Sequence, residues 1–174
     1  MSLIDQSYFV GELNITSSTT GAMERINFFI AKYEKEYLMK VLGVDCYNDF
    51  MAGITNEPWL SLKNGKDFIN QQGRLEHYFG LANSDKKSPL ANYVYYHYQQ
   101  DSFTQTAAIG EVQSKAENAM LVSPANKMAA AWNDMVKQTS VLVDFLYVNN
   151  SLYPKFNIAY LDRDLITPIN TYNF

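Results

Sequence analysis

Apolar residues recur every three or four positions over two long stretches of this chain. The first runs from Met23 to Leu42. Ile26, Phe29, Ile30, Tyr33, Tyr37 and Val41 fall on one side of a helix, Lys32, Glu34, Lys35 and Glu36 supply its wet face, and Gly43 stands where a cap ends it. The second opens at Ser123-Pro124 and runs to Val148, with Met128, Trp132, Met135, Thr139, Leu142 and Leu146 as a packing seam. A helix of that span is about 37 Å long.

A third stretch breaks the two-sided pattern. Ser88 supplies an N-cap and Pro89 a first helical position, and the helix they open runs to about Asp101. Every position from Tyr93 to Tyr98 is Tyr, Val or His. A helix apolar on most of its circumference must be covered on all sides, by its own chain or by another copy.

Shorter elements fill the gaps. Asp45–Ala52 predicts a helix ending at Gly53. Residues 54–66 predict a loop anchored by Trp59, with a turn at Asn64-Gly65. Asp67–Phe79 predicts a helix interrupted at Gly73, and Asn83–Lys87 a polar loop. Residues 102–112 read as an irregular loop or a short β-hairpin, and Glu111–Leu121 as a further helical piece.

The two ends differ from the middle. Residues 1–20 read as an extended arm, with apolar Tyr8, Phe9, Val10, Leu13 and Ile15 before a Ser/Thr run. Residues 150–174 read as an extended tail. Pro154 and Pro168 forbid a continuous helix there, and Phe156, Ile158 and Tyr160 alternate as in a strand. The expected fold class is mainly α: one helical-bundle domain over 1–174, with the arm, the tail and the hairpin option around 102–112.

Composition narrows the function. A chain of 174 residues can bury a core without staples. Charged residues are only 18%, while 13 Tyr and 10 Phe bring the aromatic share to 14%. That excess suits an aromatic core or an interface equally. Net charge is −4 and no basic run exceeds Lys86-Lys87, which argues against nucleic-acid binding through phosphate contacts. The single Cys46 excludes an intrachain disulfide and a cysteine-only metal site, and its apolar context predicts a buried thiol. No apolar run approaches the roughly 20 residues of a membrane span. The opening MSLIDQSYFVGELNI lacks the parts of a signal peptide, so an intracellular origin is expected.

Candidate chemistry is sparse. His97 and Asp101 stand one helical turn apart and could pair, with His97 expected as a structural, hydrogen-bonded imidazole. His77 adjoins Glu76, a spacing that does not place the two side by side on a helix. The carboxylate pairs Asp45/Asp49 and Asp162/Asp164 read as a cap, a surface residue and a solvated turn. The chain holds no phosphate-binding glycine loop, dinucleotide fingerprint, nucleophile elbow or HExxH. The expectation is a protein that is not an enzyme, with no catalytic residue, cofactor or metal.

The segments YFVGELNI (Tyr8 to Ile15), FIAKYEKEYLMKVLG (Phe29 to Gly43), SPLANYVYYHYQQD, GEVQSKAENAMLVSPANKMAAAWNDMV (Gly110 to Val136) and PINTYNF carry a resemblance. In this order, over nearly the whole chain, they resemble a family of small proteins from phages and prophages of Bacteroidetes. That family in turn looks like the head–tail connector, or adaptor, class of tailed-phage proteins. The resemblance implies a virion structural protein that assembles as a ring of roughly twelve copies beneath the portal. Its partners would be itself, the portal protein, and tail or neighbouring connector proteins. DNA would pass through the ring without specific recognition. The protein would be found in the virion and, during assembly, in the host bacterial cytoplasm.

Three regions are expected to make contacts. They are the arm (Tyr8, Phe9, Leu13, Ile15), the loop (Phe103, Thr104, Ile109, Val112) and the tail (Tyr153, Phe156, Ile158, Tyr172, Phe174). For each, packing onto the home core is the competing expectation. Two other function classes stand beside the connector: a non-ring phage interaction module, such as a chaperone or regulatory partner, and a small enzyme built around His97 and Asp101.

Overall fold

A computed structural model of the chain describes residues 2–15, 20–107, 110–113 and 125–170, with the backbone alone at residue 20 and over 103–107 and 110–113. It is mainly helical. The helices are α1 (Thr20–Leu42), α2 (Val44–Gly53), α3 (Trp59–Asn64), α4 (Pro89–Phe103) and α5 (Ala125–Val148). Two antiparallel hairpins join them, β1 (Lys66–Ile69) with β2 (Leu75–Tyr78) and β3 (Thr104–Ala107) with β4 (Gly110–Gln113).

Helix α4 packs against both α1 and α5. Its aromatic circumference is covered by its own chain: Leu90, Tyr93, Val94, Tyr95 and Tyr98 are all buried. The Ser88 cap forms as expected, accepting from the Leu90 amide at 3.2 Å while its hydroxyl donates to the Leu81 carbonyl. Helix α5 buries Met128, Met135, Thr139, Leu142 and Leu146, the seam read from its spacing, while Trp132 is half-buried. Thr139 and Tyr37 join α5 to α1 through a buried hydroxyl pair at 2.7 Å.

Residues 67–79 form a hairpin where a helix was expected. Phe68 and Tyr78 share one face of it and pack on Phe145 of α5, with ring centroids at 5.4 and 4.8 Å. Asn70 builds the turn. Its Oδ1 accepts from the Gln72 and Arg74 amides, and Gly73 takes φ +74°. The hairpin base is tight. A Cβ on Gly65 would stand 2.4 Å from the Tyr78 carbonyl oxygen, and one on Gly80 2.4 Å from the Asn64 carbonyl carbon. The Gly73 interruption therefore marks a reversal of a two-residue period.

Other expectations are corrected in the same way. Residues 59–64 of the expected loop are helical, as α3. Within the helix expected over 111–121, residues 111–113 lie in β4 and the rest lies outside the described residues. The strand expected near Phe156–Tyr160 is a short 3-10 turn, Ile158–Tyr160, followed by a second at Arg163–Ile166. Asn157 and Asp162 cap these turns through their side chains. Local capping outcompetes alternation where no neighbouring strand offers a ladder.

The N-terminal segment docks on the helices through residues 2–9 and Ile15. Ile4, Tyr8, Phe9 and Ile15 belong to the core. Glu34, expected on the wet face of α1, is only 6% exposed. Its carboxylate accepts from the Leu3 amide at 2.9 Å, the Ile4 amide at 3.1 Å and the Ser2 hydroxyl at 3.1 Å. Backbone N–H groups that no helix or sheet pairs need such an acceptor.

Candidate functional site

The expected contact residues divide by burial. Tyr8, Phe9 and Ile15 are buried in the subunit's own core, and Leu13 packs against it. The Tyr8 hydroxyl donates to the Asn83 carbonyl at 2.9 Å. Tyr153 and Phe156 are buried too, with the Tyr153 hydroxyl donating to the Pro58 carbonyl at 2.8 Å and its ring 5.2 Å from Trp59. Home-core packing thus takes most of the arm and the start of the tail, because hydroxyl-tipped rings here find backbone acceptors inside the chain. Ile158 alone of the described tail candidates is exposed. Phe103 closes α4, Thr104 lies in β3 and Val112 in β4, described in backbone only. Ile109, Tyr172 and Phe174 lie outside the described residues.

The exposed apolar side chains gather elsewhere. On the outer face of the β1–β2 hairpin, Ile69 and Leu75 are register partners, 53% and 72% exposed. Ile69 also lines a hollow of about 290 Å³ with Val148 and Leu152, over a base of Phe68, Phe145 and Tyr153. A second hollow, of about 320 Å³, lies between Met39, Leu42 and Val44 on one side and Tyr160 on the other. Tyr160 is 65% exposed. Sequence reasoning missed the hairpin pair because it assigned Asp67–Phe79 the helical period. Read with period two, Ile69 and Leu75 fall opposite Phe68 and Tyr78.

The hairpin's outer face also carries a hydrogen-bonded side-chain pair. Asp67 and His77 are register partners, with His77 Nδ1 2.5 Å from Asp67 Oδ1. The His77 ring stands edge-on to Phe79 at 4.6 Å.

His97 does not pair with Asp101. Asp101 bonds Arg25 of α1, and the His97 ring stacks on Tyr33 at 4.1 Å with Tyr93 and Tyr96 edge-on. Among the described residues its Nε2 is buried without a hydrogen-bond partner, which corrects the expectation of a fully bonded imidazole. Burial pushes the His97 pKa down to about 4, against the nearby Glu36 carboxylate that raises it. The ring is therefore neutral near pH 7, and among the described residues no carboxylate is hydrogen-bonded to it.

Two of the acids singled out from the sequence are held in ion pairs. Asp49 pairs with Lys155 at 2.8 Å, and Asp162 with Lys40 at 3.5 Å. Cys46 is buried, and burial pushes its thiol up to about 11, so a thiolate is scarce near pH 7. Among the described residues no group of three or more His, Cys, Asp or Glu is placed to hold a metal ion, and no helix is long and apolar enough to cross a membrane.

Compared with protein-family models, curated proteins and solved structures, the chain matches none.

Proposed function

We propose that this protein is a virion structural subunit that assembles with copies of itself into a ring at the head–tail junction of a tailed phage. One observation supports an assembling protein above the other classes. Large apolar side chains stand exposed around two shallow hollows, while among the described residues the His97 ring is stacked on Tyr33, Cys46 is buried, and Asp49, Asp101 and Asp162 are held in ion pairs. Exposed apolar surface of this kind is buried when subunits associate. The ring, the portal and the phage setting rest on the sequence resemblance. A ring built from heterologous contacts needs two different surfaces on each subunit. The Ile69/Leu75 face with its hollow, and the Val44/Tyr160 hollow, are offered as those surfaces.

The test is assembly. Light scattering and negative-stain imaging of the purified protein, alone and mixed with a purified portal, should give closed rings or a portal complex. A monomer at all concentrations that also ignores the portal sinks the reading.

A further inference from the structure

Asn64 and Gly65 join α3 to β1, and theirs is the single Asn-Gly step in the chain. Glycine carries no Cβ, so its nitrogen is the least shielded neighbour an asparagine side chain can have. The Asn64 side chain is exposed and, among the described residues, makes no hydrogen bond. Asn83, which precedes Ser84, is the contrast. Its amide donates to the Phe79 and Lys87 carbonyls and accepts from the Lys87 amide at 3.2 Å.

The restraint on Asn64-Gly65 comes from the backbone. The Gly65 amide donates to the Ser61 carbonyl at 3.0 Å. The Leu81 and Ala82 amides donate to the Leu62 and Lys63 carbonyls at 3.3 and 2.8 Å. The chain at 62–65 therefore lies directly against the chain at 78–82 and closes the base of the hairpin. The contact has no slack: a Cβ on Gly80 would stand 2.4 Å from the Gly65 nitrogen.

We propose that Asn64-Gly65 is a site of spontaneous deamidation whose isoaspartyl product opens the base of the β1–β2 hairpin. The Gly65 nitrogen attacks the Asn64 side-chain carbonyl carbon. A C–N bond forms there, and ammonia leaves with the proton that the nitrogen gives up. Water then adds to the cyclic imide. Breaking the new C–N bond leaves aspartate. Breaking the original peptide C–N bond leaves isoaspartate, whose main chain runs through the former side chain and is one carbon longer. The contact between Gly65 and Gly80 has no room for that carbon, so β1 is pushed away from Tyr78–Gly80. The reaction must first free the Gly65 N–H from Ser61, which slows it in the folded chain. The inference does not depend on ring assembly.

The test incubates the full chain and a capped peptide of residues 62–68 at mildly alkaline pH, and follows isoaspartate by peptide mapping. Conversion is expected at Asn64 ahead of every other asparagine, about tenfold slower than in the peptide, the factor set by opening one hydrogen bond. The converted chain, separated by ion exchange, should exchange its β1–β2 backbone amides at least about tenfold faster than the unreacted chain. Asn64→Asp carries the same charge on an ordinary main chain and should keep the slow exchange. Any of four results overturns the proposal: no isoaspartate at Asn64 once the peptide has converted, earlier conversion of another asparagine, unchanged exchange in the converted chain, or Asn64→Asp exchanging as fast as the converted chain.

Discussion

The seam between α1 and α4 and the pole formed by the β1–β2 hairpin with the end of α5 treat apolar side chains in opposite ways. On the seam, Phe29, Tyr37, Tyr93 and Tyr98 are buried, and polar tips find partners: Tyr37 on Thr139, Tyr93 on Glu36 at 2.8 Å. At the pole, Phe68 and Tyr78 are buried on one face while Ile69 and Leu75 stand in solvent on the other. The cause is geometric. A helix between two helices can be covered nearly all round. A two-stranded ribbon has two faces, and the chain covers only one. Apolarity in the sequence therefore reports core on the seam and open surface at the pole.

The sharpest way to break this contrast is Tyr37→Ala. The side chain is fully buried, so the loss should be about 3–5 kcal/mol in urea denaturation. Tyr37→Phe, which removes the hydroxyl alone, should cost about 1 kcal/mol. A Tyr37→Ala loss as small as that of a pole variant would erase the distinction.

Next comes the latch on α1. Glu34→Ala leaves the Leu3 and Ile4 amides without their acceptor and should cost about 2–3 kcal/mol. Burial raises the Glu34 pKa above its ordinary 4.5, against the Leu3 and Ile4 amides that lower it. The folded state then holds this proton more tightly than the unfolded chain. Stability contributed by Glu34 should fall as pH rises from 4.5 through the raised pKa, and stay level above it. The difference between wild type and Glu34→Gln across that window measures this, and an opposite slope would contradict it.

His97 tests the seam with the reverse sign. Its folded pKa of about 4 lies below the ordinary 6.5, so the unfolded chain binds the proton more readily. The stability tied to the neutral ring is complete above pH 6.5 and is lost as pH falls toward 4. Lowering the pH from about 7 to about 5 should cost about 1–2 kcal/mol through this group, after allowance for its partial exposure. His97→Phe should remove that part of the pH dependence in parallel thermal melts.

The smallest effect belongs to the pole. Ile69→Ser with Leu75→Ser should change monomer stability by no more than about 0.5 kcal/mol, because both side chains are exposed. The same pair should abolish self-association in light scattering if this face is an assembly surface. Large destabilisation with association intact would return the hairpin to the core.

The helices were legible in the chain because their signals are local. Ser88-Pro89 and the apolar steps of α1 and α5 act within a turn or two of where they are read. The hairpin was not legible. Phe68 and Tyr78 make sense only against Phe145, and nothing within their own segment marks Phe145 as the surface they pack on. The same limit applies to Glu34, whose spacing places it beside charged neighbours while its partners sit some thirty residues upstream. The candidate surface was legible only as a general excess of apolar residues. Of the seven residues chosen for contact whose side chains are described, Tyr8, Phe9, Ile15, Tyr153 and Phe156 are core.

The sequence by itself determined the class of the protein: three substantial helices, the Ser88 cap of one of them, their apolar faces, and the aromatic helix that had to be covered; the Ser123-Pro124 start lies outside the described residues. Periodicity and capping need no distant partner. The tertiary structure alone decided what does the covering. It placed α4 between α1 and α5, turned the supposed arm inward onto Glu34, folded Tyr153 against Trp59 and left Ile69 and Leu75 outside. Those outcomes depend on which surfaces meet, and that choice is made by packing between segments far apart in the chain.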